Sequence, residues 1–187
     1  WVSDESDAYL TAYVLQGMLE AHRAGFVVDE AVVEGASGFV RERLVSVSQS
    51  DTSWEANRLA FQLYILAEYG NAFKKPTKGE LGLAVRLYEK RHLMSQYGRA
   101  TLAVALSLLE PGEPQRVKTL LSDLVGDAVL SATGTYWQEI EVDLWNMNTD
   151  IRTTAIALWA LSRLDPENEL LAGTVRWLMA ARPEGHW

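Results

Sequence analysis

The sequence predicts an all-α protein built as a partial α/α toroid, with about four helix pairs set in an inner and an outer layer. Three observations carry this. Apolar residues recur at helical rather than strand spacing along nearly the whole chain. Four segments share the pattern Ala-x-x-Leu-x-x-(Leu/Met), spaced roughly 50 residues apart: Ala12-Leu15-Met18, Ala60-Leu63-Leu66, Ala103-Leu106-Leu109 and Ala155-Leu158-Leu161. Each is apolar nearly all round, as in "TLAVALSLL" and "TTAIALWALSRL", which marks a buried helix, and each is followed by a stretch with a single apolar stripe.

The elements follow in order. "SDAYLTAYVLQGMLEAHRAG", Ser6 to Gly25, predicts the first inner helix: Ser6 or Asp7 caps it, Gly25 stops it, and Leu10, Val14, Leu15, Met18 and Leu19 form its apolar face. Its outer partner spans Asp29 to Leu44, with Val32, Val33, Phe39 and Val40 as the stripe. A polar loop, Ser46 to Ser53, leads to a helix beginning near Trp54. Lys78 to His92 follows with Leu81, Val85 and Tyr88. The third inner helix is followed by Pro114 to Val129, where a first-turn proline costs no hydrogen bond and Val117, Leu120, Leu121 and Leu124 face inward. The fourth, Ile151 to Leu164, precedes Pro166 to Arg182, with Leu170, Leu171, Val175, Leu178 and Met179 inward and Pro183 as the stop. Trp159 and Trp177 lie in apolar helices and read as core. The small residues Ala12, Ala60, Ala103 and Ala155 let inner helices approach closely around an axis. Four pairs leave two uncovered edges, so residues 1–187 are expected to be a single domain that is a fragment of a larger ring.

Hydrophobic residues make up 48% of the chain and charged residues 22%, as expected of a globular domain. The net charge of -8 argues against nucleic acid, which needs a basic face, and against adhesion to anionic membranes. No apolar run approaches the roughly 20 residues of a membrane span. Cysteine is absent, which removes disulfides, thiolate metal sites and a cysteine nucleophile. His22, His92 and His186 lie far apart and lack the spacing of a zinc-binding helix. No metal and no cofactor are expected.

Chemistry would most naturally sit in the long stretch "SATGTYWQEIEVDLWNMNTD", Ser131 to Asp150, since loops longer than about 12–15 residues are uncommon and often functional. Glu139, Glu141 and Asp143 could supply the two carboxylates of a glycoside hydrolase, with Trp137 and Trp145 stacking a sugar. The same alternation, with Ile140, Val142 and Leu144 on one side, also describes a half-exposed strand. No aspartate-rich terpene-cyclase motif, P-loop, GxGxxG or Gly-x-Ser-x-Gly elbow occurs. No catalytic residue is assigned, and the chain is expected not to be an enzyme.

The opening "WVSDESDAYLTAYVLQGMLEAHRAGFVVDEAVVEGASGFV" resembles the thioester domain of bacterial alpha-2-macroglobulin-like proteins, where a Trp-rich segment runs into Ser-Asp-x-Tyr-Leu-Thr-Ala-Tyr-Val-Leu. "NTDIRTTAIALWALSRLDPENELLAGTVRWLMAARPEGHW" is similar to the same domain further on, through Arg152 to Leu158 and Gly185-His186-Trp187. The likeness is specific at both ends and loose through Ser46 to Ala128. It implies a thioester-type α/α toroid, a fold shared with terpenoid cyclases, inside an extracytoplasmic parent that traps proteases of broad range. A cut in a bait region exposes a Cys–Gln thioester that acylates the attacker. Its Cys would lie outside this Cys-free chain, which would serve as scaffold, with proteases as the parent's targets and neighbouring domains as its contacts. Complement-type members carry a His-Gln-Glu triplet before the helix corresponding to Ile151–Leu164. The matching place is Trp137-Gln138-Glu139 with Tyr136 adjacent, so these four are candidate thioester-proximal positions. General-base help from an imidazole would be missing there, and any thioester should then prefer amines over hydroxyls. A carbohydrate-active toroid enzyme and a helical-repeat binding module are the alternatives.

Overall fold

The structure is a computed structural model, and it describes residues 6–44, 52–75, 79–139 and 148–182. Its helices are α1 (Ala8–Arg23), α2 (Glu30–Glu42), α3 (Ser53–Ala72), α4 (Glu80–Glu89), α5 (Gln96–Leu109), α6 (Gln115–Gly126), α7 (Asp150–Leu164) and α8 (Leu170–Ala180). A short 3-10 turn, Arg91–Leu93, follows α4. Between α6 and α7 lies an antiparallel hairpin, β1 (Val129–Ser131) and β2 (Gly134–Tyr136), with Leu130 opposite Thr135. The class is all-α, with α1, α3, α5 and α7 packed in succession and α2, α4, α6 and α8 beside them.

Side-chain caps account for four of the eight described helix starts. Asp7, one of the two expected caps, accepts the Tyr9 and Leu10 amides at 2.8 and 2.9 Å. Asp29 does the same for Ala31 at 2.9 Å. Thr52 and Glu55 form a reciprocal capping box on α3. Gly25, at φ 86°, ends α1 in the left-handed conformation that glycine adopts without steric cost, and the Phe26 amide returns to the Ala21 carbonyl at 3.0 Å. α5 is capped differently. Ser95 makes no side-chain cap, and its own amide donates to Asn57 Oδ1 of α3 at 3.0 Å.

The core is centred on α3 and α5. Thirteen of the twenty residues of α3 are buried, from Ala56 through Tyr69. In α5, Ala100 through Leu106 is buried without interruption. Each fully buried leucine of this layer contributes about 1.5–3 kcal/mol relative to exposure. Gly98 makes the close approach possible, because a Cβ there would stand 2.2 Å from Asn57 Oδ1. The outer helices are tied in by ion pairs: Arg41 to the buried Glu80 at 2.7 Å joins α2 to α4, and Arg91 to Asp123 at 3.3 Å joins α4 to α6.

Several expectations need correction. The helix expected from Pro166 begins at Leu170, because Asn168 Oδ1 accepts the Leu170 amide at 3.1 Å and keeps 166–169 in a turn. The helix expected to reach Val129 ends at Gly126, and Val129 enters β1. Trp177 is half-buried rather than core. Of the stripe expected on α8 only Leu178 is buried, while Val175 and Met179 are about half exposed, at 48% and 52%. On α1, Leu10 and Val14 face outward. Ala12, Ala60 and Ala103 have no exposed surface, but Ala155 is exposed.

The repeat register explains these exposures together. Two residues before the repeat alanine, and two, five and nine after it, stand Arg58, Gln62, Ile65 and Tyr69 in α3, and Thr153, Ala157, Ala160 and Leu164 in α7. These positions are mostly buried. In α1 they are Leu10, Val14, Gly17 and Ala21, with three of the four at or near the surface. The alanine itself and the positions three and seven beyond it form a second set: Ala12, Leu15 and Leu19 are buried, as are Ala60, Leu63 and Ala67. In α7 the equivalents are Ala155, Leu158 and Ser162, and Ala155 and Ser162 are exposed. The described stack thus presents a leading edge on α1 and a trailing edge on α7.

Tyr64 provides a test of this interior. Desolvation raises its phenol pKa well above the ordinary value near 10, and the negative Glu68 one turn on adds to the shift. A native pKa above the unfolded one gives stability that is complete below about pH 10 and is lost as the pH climbs beyond it. Chemical denaturation between pH 8 and 11 should show the stability of the native sequence falling at the alkaline end, and Tyr64→Phe should flatten that fall. An equal decline in both proteins would contradict it.

Candidate functional site

The four candidate residues Tyr136, Trp137, Gln138 and Glu139 lie where the chain leaves β2 and crosses toward the start of α7. Their placement begins with Gly134. It adopts φ 137°, and a Cβ would stand 2.2 Å from the Gly173 carbonyl oxygen of α8, so glycine is required on both counts. Gly173 in turn leaves room for Thr135, whose hydroxyl lies 2.7 Å from where a Gly173 Cβ would be. These two glycines press the hairpin onto α8.

From that anchor the side chains alternate. Tyr136 stacks on Trp177 of α8, with centroids 4.8 Å apart and planes 8° from parallel. Trp137 turns inward and has no exposed surface, packing with Ala157 and Leu161. Its indole Nε1 donates to the Leu124 carbonyl at 2.8 Å. That carbonyl belongs to the last turn of α6, where the intrahelical partners run out; its neighbours on Asp123 and Val125 accept the Asp127 and Ala128 amides. The Trp137 amide donates to Thr154 Oγ1 at 3.0 Å. Trp137 is therefore a peg joining α6, the hairpin and α7. Gln138 is exposed, and Glu139 is half-buried.

Glu139 is held from both sides. Its amide donates to Asp150 Oδ1 at 2.8 Å, and its carboxylate accepts the Thr153 hydroxyl. Asp150 is the first residue of α7, and Thr149 caps that helix by accepting the Arg152 amide at 3.2 Å. Arg152 then reaches into the axis, donating to Asn148 Oδ1 at 3.1 Å and to the Tyr97 hydroxyl at 3.1 Å. A cavity of about 520 Å³ opens beside this cluster, lined by Glu139, Asn148, Asp150 and Trp177 among others.

Among the described residues the arrangement is a well-braced polar rim. The burial of Trp137 removes one of the two tryptophans that could stack a sugar. The alternation expected to form a strand continues into residues 140–147; Glu141, Asp143, Trp145 and the Ile140, Val142 and Leu144 positions lie outside the described residues. So do Trp1, Pro183 and the Gly185-His186-Trp187 end. His22 stacks on Phe73 at 4.7 Å near the far ends of α1 and α3, and His92 sits in the 3-10 turn. Among the described residues no group of three or more His, Cys, Asp or Glu is placed to hold a metal ion. Among the same residues no helix is long and apolar enough to cross a membrane. The sequence did not mark Thr153 and Thr154, which hold Glu139 and Trp137, or Arg152, which ties the start of α7 to Tyr97. Their signal was the polar start of an otherwise apolar inner helix.

No protein-family profile matches the chain, and no curated protein sequence does. Solved structures do share its fold. Salmonella alpha-2-macroglobulin reacted with methylamine superposes with a TM-score of 0.72 at 16% identity, over 98% of this chain and 11% of that one. A point mutant of the Salmonella protein gives 0.72 at 17% identity, with the same coverage. The native conformation of E. coli alpha-2-macroglobulin gives 0.69 at 17% identity, over 96% of this chain and 11% of that one. The chain has the fold of a segment of these bacterial alpha-2-macroglobulins and spans about a tenth of their length.

If Trp137 is a structural peg, its two losses are separable. Trp137→Phe keeps most of the volume but orphans the Leu124 carbonyl, and should cost about 1–3 kcal/mol. Trp137→Ala also opens a cavity and should cost about 3–5 kcal/mol. Urea denaturation midpoints of the two variants measure this. A neutral Trp137→Ala would show that the indole does not brace the hairpin.

Proposed function

We propose that this chain is part of the thioester-type domain of a bacterial alpha-2-macroglobulin-like parent, and that it serves a broad-range protease trap as scaffold rather than as an enzyme. The observation that carries this is the superposition of nearly the whole chain on bacterial alpha-2-macroglobulins. The likeness of both ends of the sequence to the thioester domain supports it from a separate direction. The two uncovered edges support it as well, because further helix pairs of the parent would cover Leu10 and Val14 on one side and Ala155 and Leu158 on the other, completing a toroid. The parent is extracytoplasmic, its targets are proteases, and the chain's immediate contacts are neighbouring domains of the same polypeptide.

The thioester-proximal role falls on Tyr136, Trp137, Gln138 and Glu139 as a braced rim. Gln138 is the exposed member and Glu139 the carboxylate at the cavity, while Trp137 supports them from below. Trp137 stands where complement-type members carry the imidazole that activates a hydroxyl, so any thioester of the parent would prefer amines.

Thiol titration of the full-length parent, with and without methylamine, tests the proposal. Stoichiometric release of a thiol on methylamine treatment, with weak labelling by glycerol, is the expected result. No release would remove the thioester, and equal labelling by glycerol and methylamine would remove the amine preference.

A further inference from the structure

α1 and α7 are the first and last inner helices of the described stack, and their main packing is with other elements: α1 with α2 and α3, α7 with α5 and α8. Side chains nevertheless connect them at both ends of the shared axis. At the starting end, Arg152 of α7 donates to the Tyr9 hydroxyl of α1 at 3.4 Å as well as to Tyr97 of α5. Its guanidinium lies 4.6 Å from the Tyr97 ring centroid and 5.3 Å from that of Tyr13, within cation–π range of both. At the finishing end, Glu68 of α3 is 1% exposed. It accepts Arg23 of α1 at 2.7 Å on one carboxylate oxygen and Arg163 of α7 on the other.

We propose that these two clusters are latches that set the spacing between α1 and α7, and with it the width of the opening between the leading and trailing edges. The burial asymmetry supports this. Glu68 cannot reach water from its place on α3, and a buried carboxylate stripped of its partners is strongly destabilising, so it holds both arginines. Arg23 and Arg163 have 48% and 31% of their side chains exposed, so each guanidinium is already partly solvated and the cost of releasing one falls on Glu68, which keeps the other. When a latch opens, the helices that move are α1 and α7, while α3 stays in the core. Tyr64, one turn before Glu68, meets Trp159 of α7 edge-on at 5.0 Å and lies between the two latches. The contacts of α1 with α3 through Phe61, which touches both Tyr9 and Tyr13, survive release and keep the helix folded.

The chain lacks cysteine, so introduced pairs are its only spin-labelling sites. Val14→Cys on α1 with Ser162→Cys on α7 reports the opening by pulsed electron–electron resonance. Arg86→Cys on α4 with Lys118→Cys on α6 is the control. In the otherwise native chain both pairs should give narrow distance distributions. Adding Glu68→Gln with Arg152→Met should broaden the α1–α7 distribution and shift its mean by roughly 2 Å or more, the scale of helix displacements in conformational transitions, with the control unchanged. If that variant loses helical circular dichroism, Arg23→Gln alone, which leaves Arg163 on Glu68, should still broaden the α1–α7 pair. An unchanged α1–α7 distribution in a folded variant would overturn the proposal, and so would equal broadening of the control pair.

Discussion

The packing of α3 against α5 is the constraint on which the rest of the structure depends. Two helices buried on nearly all sides can exist only if other helices cover them, and α1, α4, α6 and α7 all pack directly on one or the other. The close approach at Gly98 and Asn57 sets their separation and lets Asn57 cap α5 from outside, so the helix that most needs covering also has its first turn fixed by its neighbour. α1 then covers one side of α3 and α7 one side of α5, and the outer helices cover what remains, tied by Arg41–Glu80 and Arg91–Asp123.

Because α1 and α7 are placed by their contacts with α3 and α5, the distance between them is left to long polar side chains. That division of labour is physically sensible. Apolar packing is non-directional and holds layers together, whereas an arginine between three tyrosines, or a buried carboxylate between two arginines, specifies a geometry. The candidate rim uses the same device on a smaller scale. Trp137 supplies the apolar anchor, and Asp150, Thr153 and Thr154 specify where the backbone of 137–139 runs.

The helical class and the pairing of helices were legible because they rest on local signals: Asp7 and Asp29 before apolar stripes, Gly25 after one, and the recurring alanine. What was not legible depended on partners distant in sequence. Ala155 looks identical to Ala12 in the repeat and is exposed where no described inner helix follows α7. Val175 and Met179 sit at core-like spacing on α8, and nothing local shows that their side of the helix is uncovered. The turn at 166–169 was lost to a rule that favours proline at helix starts, when Asn168 had a competing local hydrogen bond to offer. The hairpin carried a signal, a run of β-formers broken by Thr133-Gly134, but its strands are too short to stand out. Trp137 was found as a position but not as a peg, because its hydrogen-bond partner is a carbonyl on another helix and carbonyls leave no trace in sequence.

The described helices form a layered stack with the fold of a segment of bacterial alpha-2-macroglobulin and two uncovered edges. The central claim is that α3 and α5 form the most stable part of the fold, around which the other helices are arranged. Native-state hydrogen exchange with increasing urea tests it most directly. Central amides of α3 and α5 should exchange last, through global unfolding, while α2 and α8 exchange through smaller openings. Protection of α2 or α8 equal to that of α3 and α5 would contradict it.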